Sequence, residues 1–169
     1  MGRPMTIEDL NRRVWEEMVY ANMRTHYFGD LVRTYQERDK WFRVAGLVLS
    51  SGSLASAVWT LEPQHRVIVP LLATAGSVWL LLSQYSTLSR DASDLMSSWQ
   101  NIATKYERLF NGLEAPDAES QFDKIYEEAD RLSKPAGKFP QNQKKLEHWL
   151  NRSSEILIAR YTPKSTVSA

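Results

Sequence analysis

Histidine is the side chain best suited to acid–base or metal chemistry near neutral pH. This chain of 169 residues has three, His26, His65 and His148. They stand far apart, and no HxxxH or HExxH spacing sets two of them on one helical face. The absence of Cys removes a thiolate nucleophile, a Cys-ligated zinc site and a disulfide framework. Glu127, Glu128 and Asp130 fit the solvated face of an amphipathic helix better than a metal site. Ser50-Ser51-Gly52-Ser53 offers hydroxyls but no paired base. No GxxxxGK[ST], GxGxxG or GxSxG is present. These residues point away from an enzyme, and no catalytic, cofactor or metal site is expected.

The remaining chemistry lies in where charge is missing. The chain carries 21 Lys+Arg and 20 Asp+Glu, for a net charge of +1 that gives no basis for nucleic-acid binding. A mean hydropathy of −0.43 is that of a soluble protein. The average conceals a partition. Residues 44–61 and 67–89 carry no charge, so the other 128 residues hold all 41 charges. A helix needs about 20 mostly apolar residues to cross a hydrocarbon core about 30 Å thick, and both blocks approach that length. The second is the stronger, with ten Val, Ile or Leu. The first has seven, which contribute roughly −2 to −4 kcal/mol toward insertion before its serines are counted. It is expected to insert as a hairpin with the second.

The linker Glu62-Pro63-Gln64-His65-Arg66 is too short for anything but an antiparallel turn. Trp41, Phe42, Trp59 and Tyr85 stand near the block edges, where interfacial aromatics are favoured. Arg24, Arg33, Arg38, Lys40 and Arg43 precede the first block, Arg90, Lys105 and Arg108 follow the second, and the linker holds only Arg66. Positive residues stay on the cytoplasmic side. The expected location is therefore the inner (cytoplasmic) membrane, multi-pass, with both termini cytosolic. Arg38-Asp39 and Arg90-Asp91 read as membrane-edge pairs suited to anchoring or bundle packing rather than proton transfer.

Polar residues inside the blocks are the candidate functional groups. Ser50, Ser53 and Thr60 fall on one face of the first span, and Thr74, Ser77 and Gln84 on one face of the second. Repeated around an oligomer, these faces suit the lining of a narrow wet pore. Gly46/Ser50, Gly52/Ser56 and Ala73/Ser77 are also small-xxx-small pairs suited to close helix packing. The two roles are compatible.

Outside the blocks the periodicity is helical. Thr6 and Asp9 resemble a weak capping box ahead of a helix over 6–40, with Ile7, Leu10, Val14, Met18, Ala21, Phe28, Leu31 and Tyr35 at mostly 3–4 spacing. Leu88, Ala92, Leu95, Trp99, Ile102, Tyr106, Leu109 and Leu113 follow a 4,3,4,3,4,3,4 heptad seam. Residues 67–113 as one rod would be about 70 Å long. Asp117 is expected to cap a helix with Phe122, Ile125, Tyr126, Ala129 and Leu132 on one face, and Asn142, after a loop over 133–140, a last helix with Leu146, Trp149, Leu150, Ser153 and Leu157 in register. The predicted fold is an all-α membrane protein. It comprises an N-terminal cytosolic amphipathic helix (1–43), a two-span antiparallel hairpin (44–89), a long cytosolic helical extension (90–162) and a frayed tail (163–169). Leu88, Leu95, Trp99, Ile102, Tyr106 and Leu109 are expected to form an oligomerisation seam, half-buried by their own chain and completed by a second copy.

The layout resembles the SLATT family, the SMODS- and SLOG-associating two-transmembrane effectors of bacterial conflict systems. Tyr27-Phe28-Gly29 ahead of the first span carries the resemblance, as does the run from Trp99 through Tyr106 to Leu109 after the second. It covers about residues 10–160, and it is specific in architecture rather than in motif. It implies an antiviral defence effector that oligomerises, forms pores or disrupts the membrane, and answers a cytosolic nucleotide-signalling partner. The expected partners are thus the lipid bilayer, further copies of the chain and that sensor. A non-conducting adaptor that docks a cytosolic protein through its helices is the rival expectation.

Overall fold

The computed structural model describes residues 6–50 and 85–162, with side chains at 6–45 and 85–162. Among the described residues the chain is all-helical, with four helices and no strand. They are α1 (Ile7–Ser50), α2 (Tyr85–Phe110), α3 (Ala118–Ala136) and α4 (Gln143–Tyr161). No helix among the described residues is long and apolar enough to cross a membrane. The charge-free blocks fall mostly outside those residues, so the expected spans do too.

Local chemistry explains the helix ends. At the start of α1 the Thr6 hydroxyl accepts from the Asp9 backbone N–H (3.2 Å) and donates to the Asp9 carboxylate (2.7 Å). Glu8 and Asp9 also place negative charge at the positive end of the helix dipole. Helix α2 stops where Gly112 tightens the last turn, its N–H reaching Leu109 O at 3.0 Å. Asp117 precedes α3 but makes no cap bond to the backbone. Its carboxylate instead accepts from Gln121 Nε2 at 2.8 Å, which corrects the expected cap. Helix α3 also runs further than the expected loop start, with Pro135 inside its last turn. Proline so near a helix end disrupts little, because the following Gly137 N–H still reaches Ser133 O and Lys134 O at 3.2 Å. Asn142 caps α4 as expected, accepting from Lys145 N–H at 3.2 Å.

The chain divides into two compact units, one of Met1–Asp30 with Ala92–Ala169, the other of Leu31–Asp91. In the first, α1 and α2 run antiparallel. Gly29 lets them approach, since a Cβ there would already touch Met96 Sδ at 3.5 Å. Leu10, Val14, Met18, Ala21 and Phe28 of α1 meet a core of Leu95, Trp99, Ile102, Tyr106 and Leu109 of α2. Phe122, Ile125 and Ala129 of α3 and Leu157 of α4 complete it. Burying side chains of this size stabilises the unit by about 1.5–3 kcal/mol each.

Polar bonds register the C-terminal helices on this core. The Tyr27 hydroxyl donates to Pro140 O and accepts from Asn142 N–H at 3.2 Å, pinning the α3–α4 connection. Trp149 Nε1 donates to Asp30 Oδ2 at 3.0 Å while its ring stacks on His26 at 4.9 Å. Glu107 accepts from both Arg160 (2.8 Å) and Tyr161 (2.9 Å). That bond and burial hold the Tyr161 hydroxyl above its ordinary pKa, burial being the larger cause. Trp15, Phe110 and Tyr161 form a three-ring cluster joining α1, α2 and α4.

In the second unit, Leu31 and Tyr35 of α1 and Ser89 of α2 are buried. Phe42 and Tyr85 stack with ring centroids 5.2 Å apart and planes 14° apart.

Candidate functional site

The two charge-free blocks, with the Glu62–Arg66 linker between them, form a region that begins at Val44 and ends at Ser89. The described residues at its two edges, within the second unit, form the candidate site. Tyr85 of α2 lies against two rings of α1, Phe42 at 5.2 Å and Tyr35 at 6.3 Å. Residues 35 and 42 are two helical turns apart, so they share one face of α1 and present both rings to the same partner. Aromatic pairs of this kind add about 0.5–1.5 kcal/mol each beyond area burial. The chain therefore enters and leaves the charge-free region at neighbouring points.

The outward surface of α1 is mixed here. Trp41 is 74% exposed and Val44 45% exposed. At i and i+3 they are neighbours on the helix surface. Arg38, Lys40 and Arg43 stand exposed around them. The ion pairs differ from the expected ones. Asp39 pairs with Arg43 at 2.8 Å rather than with Arg38, because i,i+4 groups meet on a helix and adjacent residues do not. Arg33 pairs with Glu37 at 3.1 Å in the same spacing. Arg90 and Asp91, again adjacent, form no ion pair with each other among the described residues.

The candidate pore or packing residues Ser53, Thr74, Ser77 and Gln84 lie outside the described residues, and so do Thr60 and the side chain of Ser50. The seam residues are placed. Leu95, Trp99, Ile102, Tyr106 and Leu109 are at most 6% exposed in the first unit. Leu88 is half-buried in the second. The premise that the chain leaves this seam half-buried does not hold, because α1 and α3 also pack on it. Burial pushes the Tyr106 hydroxyl well above its ordinary pKa, with Glu17 and Tyr126 adding to the shift and Arg13 opposing it.

Sequence reading missed the second buried stripe of α1, Val19, Met23 and Tyr27. Its uniform spacing of four was the available signal. It also missed the tertiary role of His26 and Trp149, which no local pattern encodes. Among the described residues no group of three or more His, Cys, Asp or Glu suits a metal ion. No family model matches the chain, and neither a curated protein nor a solved structure matches it.

Proposed function

We propose that this chain is an oligomeric two-span membrane effector of the SLATT type, acting by pore formation or membrane disruption on a cytosolic signal. The observation that carries the reading is the Phe42–Tyr85 stack at the edges of the charge-free region. A membrane hairpin must start and finish on the same side with its two ends together. The exposed Trp41 and Val44 among Arg38, Lys40 and Arg43 support it as a surface suited to the headgroup layer. On this reading both termini are cytosolic, the first unit is the signal-receiving body, and contacts between copies come from the spans through their small-xxx-small pairs.

The experiment uses the natural absence of Cys. Ser50, Ser53, Thr74, Ser77 and Gln84 are replaced singly by Cys, and the full chain is placed in liposomes loaded with a fluorescent dye. Dye release, together with labelling of several of these positions by a membrane-impermeant thiol reagent, is the expected result. Extraction of the protein from membranes by alkaline carbonate overturns the membrane reading altogether.

A second reading is favoured by a different observation. Leu150 (41%) and Ile158 (51%) of α4 are exposed two turns apart, a surface suited to docking a cytosolic protein. A membrane-retained chain whose thiols stay inert and whose liposomes stay sealed would be that non-conducting adaptor.

A further inference from the structure

Where α1 approaches the charge-free region, two cations stand unclaimed. Arg38 and Lys40, both in the second unit, are exposed. Neither forms a hydrogen bond or ion pair with a described residue. The carboxylates beside them are taken, Glu37 by Arg33 at 3.1 Å and Asp39 by Arg43 at 2.8 Å. The same stretch leaves two large apolar side chains in water, Trp41 at 74% exposure and Val44 at 45%. An exposed apolar residue standing singly needs no explanation. Here two are neighbours, and each is matched by a free cation.

The four residues are ordered along the helix axis. Arg38 and Trp41 are at i,i+3 and Lys40 and Val44 at i,i+4, so each cation shares a face with one apolar side chain. At 1.5 Å per residue, each apolar residue lies about 4.5–6 Å beyond its cation. Trp41 and Val44 are themselves at i,i+3, so the two columns stand side by side. From Val44 no charged residue follows until Glu62. The polar layer of a bilayer is about 5–7 Å deep on each side. A cation at the phosphate level therefore sets its apolar partner at the hydrocarbon edge, the depth that Trp favours.

A phospholipid carries both halves of this pattern in one molecule, a phosphate outside and hydrocarbon one helical turn deeper. We propose that Arg38, Lys40, Trp41 and Val44 form a docking surface for anionic phospholipid. The two cations take the headgroup charge, and Trp41 and Val44 take the top of the acyl chains. In a zwitterionic lipid the phosphate is already matched by its own ammonium, so the surface prefers lipid of net negative charge. The proposal rests on the membrane reading and deepens it by naming the lipid that α1 recognises.

The test places the full chain in phosphatidylcholine vesicles with a trace of spin-labelled phosphatidylglycerol or phosphatidylcholine, and measures the motionally restricted fraction of each. The parent should hold phosphatidylglycerol at least about five-fold over phosphatidylcholine. Arg38→Gln/Lys40→Gln should bring that ratio below about two-fold. Both residues are exposed, so the change does not load the core. The control Lys138→Gln/Lys144→Gln removes two exposed cations of the first unit and should keep the parent's ratio. Alkaline carbonate extraction is run on every sample. A parent that stays in the membrane without the preference overturns the proposal and leaves the membrane reading standing. So does a double variant that keeps the preference, a control that loses it equally, or its displacement by inorganic phosphate at matched ionic strength. A parent extracted by carbonate overturns the membrane reading, and the proposal with it.

Discussion

Leu95 decides whether the heptad seam belongs to one chain or to two. It is 6% exposed within its own unit, so Leu95→Ala removes three buried carbons from a core that α1, α2 and α3 already fill. Leu→Ala changes at such sites cost about 2–5 kcal/mol, and about 3 kcal/mol is expected here. A unit of this size loses about 4–8 °C per kcal/mol, so its melting temperature should fall by about 12–24 °C. The assay is thermal unfolding followed by circular dichroism in detergent, over a roughly hundred-fold range of protein concentration, with the mass measured by light scattering. Were the seam shared between copies, each ten-fold dilution of the parent would cost about 1.4 kcal/mol at that interface, and the variant would lose mass. A seam closed within the chain gives the same loss of stability at every concentration and leaves the mass unchanged. A variant that dissociates the assembly while each copy keeps its unfolding temperature would refute the intrachain packing.

Other positions give separate checks. Tyr27→Phe leaves Pro140 O and Asn142 N–H without their shared partner. It should cost about 1–3 kcal/mol and speed amide exchange at Asn142. Glu17 has a raised pKa in the folded chain, so the native state holds its proton more tightly than the unfolded one. Stability should then fall as pH rises from the ordinary glutamate value of 4.5 through the folded value. Glu17→Gln should remove that slope and melt higher than the parent at neutral pH, with no gain at pH below the ordinary value; denaturation at several pH values reads this out. Lys105→Gln breaks the 2.6 Å pair with Glu128, but both side chains are more than a third exposed. Chemical denaturation should show a loss of less than about 1 kcal/mol.

The helical character outside the charge-free blocks was legible because three- and four-residue spacing of apolar side chains is imposed by helix geometry itself. Leu10, Val14 and Met18 on α1 and Phe122, Ile125 and Ala129 on α3 were read from that spacing, and all are buried. The same rule overreached at Ile7, Tyr126 and Leu150, which keep the register yet remain exposed. Register says which residues share a face, and not how far a neighbour extends over it. The seam on α2 shows the complementary limit, since Leu95, Trp99, Ile102, Tyr106 and Leu109 are buried within their own chain. A heptad looks the same in sequence whether its partner is another copy or another helix of the same chain, and here Tyr20 of α1 lies against Trp99 and Phe122 of α3 against Tyr106. At the candidate site, Phe42 and Tyr85 were legible as edge aromatics, but not their stacking, which depends on two residues 43 positions apart in sequence meeting in space.

The bonds from Tyr27 to Pro140 and from Trp149 to Asp30 bridge sequence separations of 113 and 119 residues. Their consequence is one of timing. Ribosomal synthesis proceeds at about 5–20 residues per second, and Trp149 is made 60 residues after Ser89 closes the charge-free region. For roughly 6–24 s the N-terminal helix is made without the C-terminal bonds that later fix Tyr27 and Asp30. The charge-free region leaves the ribosome inside that interval. Closure of the first unit through these bonds therefore follows the synthesis of that region rather than preceding it.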